Sequence, residues 1–190
     1  MDLIKKLLFL FISILTGCAT YKNIEPYPDT WPQPKAIEKN SCPDISGKYG
    51  FVEAHPVMDF NSRRALNFLN SLAGYHTPAR TPTKVTLSND GDKWFRIQTF
   101  EDNILVGTQI YTNKDNKIHC SKNGLFIEPP SYKQTGAAGV GRVWSEYTFN
   151  MAEDGSLVFQ AKSTAAGMVL MISPAIAKET TWNRLKRIDE

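Results

Sequence analysis

The stretch "VWSEYTFNMAEDGSLVFQAKS", residues 143–163, contains two runs in which the side chains alternate in character. In "SEYTFNM" the alternate residues are serine, tyrosine, phenylalanine and methionine, and in "LVFQA" every second residue is apolar. Because successive side chains of a β-strand point to opposite faces, a period of two predicts two strands that each bury one face. The "EDGS" between them is rich in turn-forming residues, so the two strands are expected to be antiparallel neighbours.

The same pattern recurs along most of the chain from Lys84 onward. Turn signals indicate two tight hairpins, one at Asn89–Asp92 and the other at Asn123-Gly124. We therefore predict a mainly β chain, an antiparallel meander of about nine strands that begins near Lys48. Such a meander is expected either to close into a barrel, which removes exposed strand edges, or to form a two-sheet sandwich.

One helix is predicted between the first two of these strands. The stretch "NSRRALNFLNSLAG", residues 61–74, places alanines and leucines at helical spacing. Asn61 or Ser62 suits the N-cap position, and Gly74 suits the position that follows the last helical residue.

The start of the chain has the layout of a secretory signal. Lys5 and Lys6 precede an apolar core, Leu7–Leu15, of about nine residues. This core is too short for a lasting membrane helix, which needs roughly 20 apolar residues. The segment 1–17 is therefore predicted to be a signal peptide.

The residues "LTGC" that end this leader resemble the lipobox of bacterial lipoproteins. The resemblance implies that Cys18 is the lipid attachment site: its thiol receives a diacylglyceryl group, the leader is cut before it, and the new amino group is acylated with a fatty acid such as palmitate. Two or more acyl chains hold a protein stably on a bilayer. Ala19, which is not Asp, implies transfer to the outer membrane, with the domain facing the periplasm. The alternative is an ordinary signal peptide with a coincidental cysteine.

Residues 18–41 follow as a predicted tether. The segment after Cys18 contains four prolines and shows no helix or strand period. The globular β-rich domain is expected to span residues 42–190, a usual size for one domain with its own core.

The two remaining cysteines, Cys42 and Cys120, suggest a disulfide, because an even pair is expected to be oxidised in an exported domain. The chain-entropy model assigns such a long loop roughly 4–5 kcal/mol of stability. The alternative is a reactive thiol, since His119 precedes Cys120. Neighbours in a strand point to opposite faces, however, so adjacency alone does not make a Cys–His pair.

A second resemblance concerns the barrel. Lipocalins begin with Gly-x-Trp on the first strand, and a basic residue of the last strand packs across that ring. In this sequence Gly47 and Tyr49 occupy the glycine and aromatic positions of the first strand, and Arg184 or Arg187 is the basic residue of the last strand. This lipocalin-like reading implies an interior pocket for an apolar small molecule, with the segment 53–83 at its mouth. Tyrosine in place of tryptophan and a helix inside that segment depart from the family.

Other chemistry is poorly represented in this sequence. The formal net charge is +3 and acids and bases are interspersed, so a nucleic-acid partner is not expected. The three histidines lack metal-ligand spacing, and no nucleophile motif is present, so no catalytic residue, metal or cofactor is assigned.

Two motifs around residue 140 remain. "TGAAGVGR", residues 135–142, is followed by a strand and is expected to be a flexible loop or bulge, because a phosphate loop needs a helix there. "GRVWSEY" places Arg142, Trp144 and Glu146 on one side of a strand. If that side faces solvent it is a candidate recognition strip, and the alternative is a buried Trp144.

These observations support a membrane-anchored envelope lipoprotein that acts as a binding or accessory protein for an apolar ligand or an envelope partner. The alternatives are a structural or assembly lipoprotein without ligand, and an enzyme acting on lipid or peptidoglycan. An empty apolar barrel would favour the ligand, and a large exposed apolar patch would favour a protein partner.

Overall fold

The computed structural model of the protein describes residues 19–38, 41–50, 60–74, 83–115, 117–136, 139–169 and 173–188. Within these ranges the chain forms eleven strands and one α-helix, which confirms the predicted mainly β class. The strands are β1 (Ala19–Ile24), β2 (Gly47–Gly50), β3 (Lys84–Asp90), β4 (Trp94–Glu101), β5 (Ile104–Thr112), β6 (Ile118–Ser121), β7 (Gly124–Ile127), β8 (Tyr132–Gly136), β9 (Gly139–Met151), β10 (Leu157–Val169) and β11 (Ser173–Arg187). The helix, α1, spans Phe60–Leu72, and a 3-10 turn spans Asn113–Asp115.

The chain divides into two compact units. Among the described residues, unit 1 comprises β1, Pro130–Ser145 and Lys162–Thr180. Unit 2 comprises Glu25–Pro129, Glu146–Ala161 and the residues from Thr181 onward. The three longest strands, β9, β10 and β11, contribute residues to both units, and each unit is described in turn.

Unit 2 is a nine-stranded sheet in the order β5-β4-β3-β2-β11-β10-β9-β7-β6. The ring of Phe95 on β4 lies 5.5 Å from the ring of Phe149 on β9, although four strands separate β4 from β9 in this order. Such contact across the interior requires the sheet to curl on itself. The sheet is antiparallel and nearly closed into a barrel, with β5 and β6 at its two ends, so the barrel alternative is the correct one.

Helix α1 packs against the inside of unit 2. The Asn70 amide oxygen accepts a 3.0 Å hydrogen bond from the Thr99 hydroxyl of β4, and the Tyr111 hydroxyl of β5 donates a 2.8 Å bond to the Leu72 carbonyl. Gly74 has a φ of +79°, a conformation that glycine adopts without strain, and it ends the helix as predicted. The helix begins at Phe60, before either expected cap, and it follows the second strand rather than the first because β1 precedes it.

The predicted hairpins of unit 2 are confirmed. Gly91, with a φ of +56°, lies in the turn between β3 and β4. Gly124 has a φ of +144°, and a side chain there would lie 2.1 Å from the Phe149 carbonyl oxygen, so the β6–β7 hairpin requires glycine at this position. A third tight turn, at Asp102-Asn103, was not predicted, although asparagine and aspartate are the residues that most readily adopt its positive φ values.

Unit 1 is a smaller sheet in the order β1-β11-β10-β9-β8. β1 is parallel to β11, and the two strands pair from Ala19 opposite Ala175 to Ile24 opposite Thr180. No strand period was found in the segment 18–41, yet β1 forms there. Strand pairing uses backbone hydrogen bonds, so an available partner strand is sufficient without a strong side-chain pattern.

The glycine-rich stretch at residues 135–142 is not the expected loop or bulge. Its residues up to Gly136 end β8, and its residues from Gly139 onward begin β9, so the stretch forms most of an antiparallel hairpin. Glycine lowers the strand propensity of this stretch, which hid β8 and the first residues of β9 in the sequence.

The described residues that follow β1 contact unit 2. Pro34 forms an isolated antiparallel bridge with Ala152, and the Lys35 amide donates a 2.7 Å hydrogen bond to the Met151 carbonyl. The Tyr27 ring lies edge-on to Trp182, with centroids 5.0 Å apart. Contacts group the described residues from Glu25 onward with unit 2. The expected domain bounds, 42–190, stay a prediction.

Candidate functional surface

The centre of unit 2 is filled by the chain's own side chains. Four aromatic residues from four different strands, Tyr49, Phe95, Phe149 and Phe159, have no exposed surface. One alanine and three leucines of α1 pack into the same cluster: Ala65, Leu66, Leu69 and Leu72. Among the described residues these side chains form a packed core inside unit 2. The lipocalin-like pocket for an apolar molecule stays a prediction.

Of the residues expected to pack between the first and last strands, Gly47, Tyr49 and Arg187 lie close together. Tyr49 pairs with Arg187 across β2 and β11, and a side chain on Gly47 would meet both the Tyr49 hydroxyl and the Arg187 Nε within 3.2 Å. The Tyr49 hydroxyl donates a 2.8 Å hydrogen bond to the Ile45 carbonyl. Burial raises the pKa of Tyr49 to about 12, although the nearby Arg187 charge opposes that rise.

Arg184, the other candidate for this contact, binds elsewhere. Its guanidinium donates to the Asp154 carboxylate and, over 2.9 Å, to the Ser156 hydroxyl in the turn before β10. Burial by itself would raise the pKa of Asp154. Hydrogen bonds from the Ser156 hydroxyl and amide, and then from Arg184, outweigh burial and bring this pKa below its usual value.

Cys42 and Cys120 lie at disulfide distance, with their Cα atoms 5.3 Å apart, and the structure bonds their sulfurs. Cys120 packs against the core of unit 2, and Cys42 lines a pocket of about 240 Å³ with residues 35–38, 41, 43–44 and 150–151. His119, next to Cys120, is exposed and its ring lies 4.3 Å from the Phe126 ring. Cys18, the expected lipid attachment site, lies outside the described residues. So do residues 53–59 and 75–82 of the segment 53–83, which include His55 and His76.

The exposed apolar side chains of the described residues fall into two groups. Three of them lie on β5, a terminal strand of the unit 2 sheet: Ile104, Leu105 and Ile110. The other seven lie in unit 1: Tyr21, Ile24, Tyr132, Val140, Trp144, Met168 and Ile176. A sheet that exposes this many large apolar side chains is typical of a docking surface.

The strip predicted on β9 faces solvent. Arg142, Trp144 and Glu146 are all exposed, with 40% of the Trp144 surface accessible, so the alternative of a buried Trp144 is wrong. The flanking side chains Val143 and Tyr147 point to the other face and are buried, as the period of two requires.

Unit 1 also contains a pocket that is lined mainly by small residues. This shallow apolar pocket of about 240 Å³ lies among Gly141, Ala165, Gly167, Ala175 and their neighbours. β9 and β10 approach closely here, because a side chain on Gly167 would lie 2.3 Å from the Val140 carbonyl oxygen. The pocket contains few polar atoms and no pair of titratable groups, so it offers no evident catalytic chemistry.

Sequence reasoning missed the contribution of β1 to this surface. In the parallel register Lys22 pairs with Lys178, and Ile24 pairs with Thr180. Residues 19–24 show no strand period, so neither β1 nor its partner strand could be inferred from the local sequence.

In the part of the chain that the structure describes, no group of three or more His, Cys, Asp or Glu side chains is arranged to hold a metal ion. Within the same ranges, no helix has both the length and the apolar character needed to cross a membrane. Comparison with protein-family models, with curated proteins and with solved structures finds no match.

Proposed function

We propose that this protein is a lipid-anchored lipoprotein of the bacterial envelope that docks an envelope protein at the periplasmic face of the outer membrane. The anchor is the expected acylated Cys18. The observation that favours a protein partner over an interior apolar ligand is the contrast between a filled core and exposed apolar strands.

The partner site within unit 2 is the terminal strand β5. Its side chains Ile104, Leu105 and Ile110 expose between 48% and 68% of their surface. Terminal strands of monomeric proteins, by contrast, usually carry charges that prevent association. A terminal strand offers unpaired backbone groups in the register of a new strand, so an extended segment of a partner can extend the sheet. The apolar side chains then supply contacts that distinguish one partner from another.

The anchor is tested by mass spectrometry of the protein purified from its native envelope. The expected result is a chain that begins at Cys18 and carries acyl groups, and Cys18→Ala should block processing or release the protein from membranes. A Cys18→Ala protein that matures normally and stays membrane-bound through a high-salt wash would contradict the anchor.

The partner site is tested with a photocrosslinking amino acid at Ile110 in the native envelope. One discrete protein adduct is expected from Ile110, and none from Lys114, an exposed position that follows the end of β5. A bound lipid that copurifies with the protein and remains after Ile110→Asp, together with no adduct, would instead support the interior-ligand hypothesis.

A further inference from the structure

We propose that one face of unit 1, the basic face, lies on the headgroup layer of an anionic membrane leaflet, as a second and reversible contact beside the lipid anchor. The basic face is defined by the exposed residues Lys22, Ile24, Lys133, Val140, Arg142, Trp144, Lys162, Met168, Ile176 and Lys178. The inference rests on the proposed function only for the position of the anchor.

Two strand pairs establish which side chains share this face. In the β1–β11 register, Lys22 lies opposite Lys178, and residues in register point to the same side of a sheet. In the β8–β9 register, Lys133 lies opposite Arg142. Trp144 is two residues from Arg142 and therefore shares its face.

β10 joins these two pairs into one face. Ala161 on β10 and Leu185 on β11 belong to one buried cluster, so residues an odd number of positions away point to the other side. Lys162 follows Ala161 directly, and Lys178 precedes Leu185 by seven positions. The Ser145 and Ser163 hydroxyls are 3.3 Å apart, which places β9 and β10 in the matching phase.

The charged residues that unit 1 places on this face are all basic. Glu146, two positions after Trp144 and exposed on the same side of β9, is grouped with unit 2 and adds one acidic group in the same phase. The described residues of unit 1 include five basic residues, and alternation places every one of them on the basic face. Its one acidic residue after the leader, Glu179, alternates to the opposite face. Each Lys or Arg close to an anionic leaflet adds favourable binding energy, and five on one face form a substantial electrostatic contact.

The apolar members of the face match the same surface. Their exposed fractions lie between 36% for Ile176 and 56% for Ile24, so they are available for contact. Lysine and arginine side chains extend their charged ends toward phosphates while their methylene stems lie along apolar surface. Tryptophan is enriched at the membrane–water interface, because its ring is apolar and its N–H needs a polar partner.

The chain that precedes unit 1 favours the bilayer over other occupants. Cys18 is the residue directly before β1, and consecutive Cα atoms are only about 3.8 Å apart. An acylated Cys18 therefore holds the first strand of unit 1 at the leaflet. Because the anchor already holds the basic face near the bilayer, contact of this face with the same bilayer costs little additional translational and rotational entropy.

The test uses the lipoprotein purified from its native membranes and reconstituted into vesicles that contain tail-brominated phospholipid. One set of vesicles contains phosphatidylethanolamine with phosphatidylglycerol, and the other contains only phosphatidylcholine. Bromine quenches tryptophans that reach the bilayer. We expect quenching in anionic vesicles that is lost in Trp144→Phe and retained in the control Trp94→Phe, a tryptophan of unit 2.

Charge reversal separates electrostatic docking from the anchor. Lys22→Glu with Lys178→Glu should lower the ratio of docked to undocked protein at least about fivefold for each lysine, because each change removes a positive charge and adds a negative one. The control, Lys114→Glu with Lys122→Glu, makes the same charge change at exposed positions of unit 2 and should leave quenching unchanged. Raised salt should weaken quenching of the natural protein.

Several outcomes would overturn the inference. Quenching that is equal in both vesicle types, or that survives Trp144→Phe, would do so. A photocrosslinker at Ile176 that forms a protein adduct in the native envelope, with no quenching in vesicles, would assign the face to a protein instead. Mass spectrometry of the same protein separates this inference from the proposed lipid anchor. If a chain without acyl groups still shows quenching, the anchor is contradicted, but the membrane contact of the basic face is supported.

Discussion

Phe149 and Trp144 lie five residues apart on the same strand, β9, yet they belong to different kinds of structure. Phe149, in unit 2, has no exposed surface, and Trp144, in unit 1, is 40% exposed. Among the described residues, Val143 is the one buried apolar side chain of unit 1, and all other buried apolar side chains belong to unit 2. Backbone pairing therefore continues along β9 through both units, whereas the buried apolar cluster lies in unit 2.

This difference shows that strand pairing and core formation are separable along one strand. Backbone hydrogen bonds suffice to form the sheet of unit 1, but burial of apolar surface supplies most of the folding free energy. We therefore expect unit 2 to determine global stability and unit 1 to determine what the protein contacts. The following four changes test that division, beginning with the largest expected effect.

Replacing both Cys42 and Cys120 by serine should lower the free energy of unfolding by about 4–5 kcal/mol. The disulfide closes a loop across 78 positions within unit 2, and its removal frees that loop in the unfolded chain. Denaturant unfolding with and without reductant measures the effect, and reductant should leave the double variant unchanged. Two free thiols in unreduced periplasmic protein would contradict the bond.

Phe149→Ala should cost about 3–5 kcal/mol, because it opens a cavity among three aromatic neighbours. The matched change on the same strand, Trp144→Ala, should alter the free energy of unfolding by no more than about 0.5 kcal/mol. Denaturant midpoints of the two variants give the comparison. Equal losses would show that unit 1 contributes to the core and would end the proposed division.

Arg64→Ala should cost about 1–3 kcal/mol, because it leaves polar partners in a half-buried setting. The guanidinium donates to both Glu25 carboxylate oxygens at 3.0 and 3.1 Å and to the Trp182 carbonyl at 2.8 Å. A double-mutant cycle with Glu25→Ala isolates the ion pair.

The control for that cycle is the pair Lys93–Asp90, which is well exposed and should contribute at most about 0.5 kcal/mol. If the coupling energy of Arg64 and Glu25 is no larger than that of the control pair, this ion pair does not stabilise the contact between α1 and the segment after β1.

Asp154→Asn should have the smallest effect, below about 1 kcal/mol, because the Asp154 carboxylate is partly exposed. The pKa of Asp154 is lowered in the folded protein, so the unfolded chain binds more protons as the pH falls below about 4. The stabilisation is therefore complete above the usual carboxyl pKa and is lost as the pH falls through the folded value. The difference in Tm between natural protein and variant should shrink between pH 6 and pH 2.5, and a constant difference would refute this origin.

Several elements were predictable because their signals are local. The period of two in residues 145–151, the glycine turns at Gly91 and Gly124, and the helical spacing before Gly74 each depend on neighbours within a few positions. The cysteine pair was also predictable, since pairing two cysteines leaves only one combination. The side of β9 that carries Arg142 and Trp144 followed from alternation, although its exposure did not.

Other elements depended on partners distant in the sequence. β1 exists because β11 lies beside it, and these strands are separated by about 150 positions in the chain. Whether Arg184 or Arg187 lies beside Tyr49 depended on the register of β11 with β2, which places Arg187 opposite the ring and leaves Arg184 for Asp154.

The sequence by itself determined the β class and the alternation within most strands, because these depend on composition and short-range spacing. The leader and the anchor on Cys18 depend on the same kind of local signal and stay predictions. Tertiary structure alone decided that the described core side chains pack together inside unit 2, that β1 joins the sheet, and that five basic side chains from separate strands share one face. Strand order and register bring those side chains together, and both depend on long-range backbone pairing that no local pattern records.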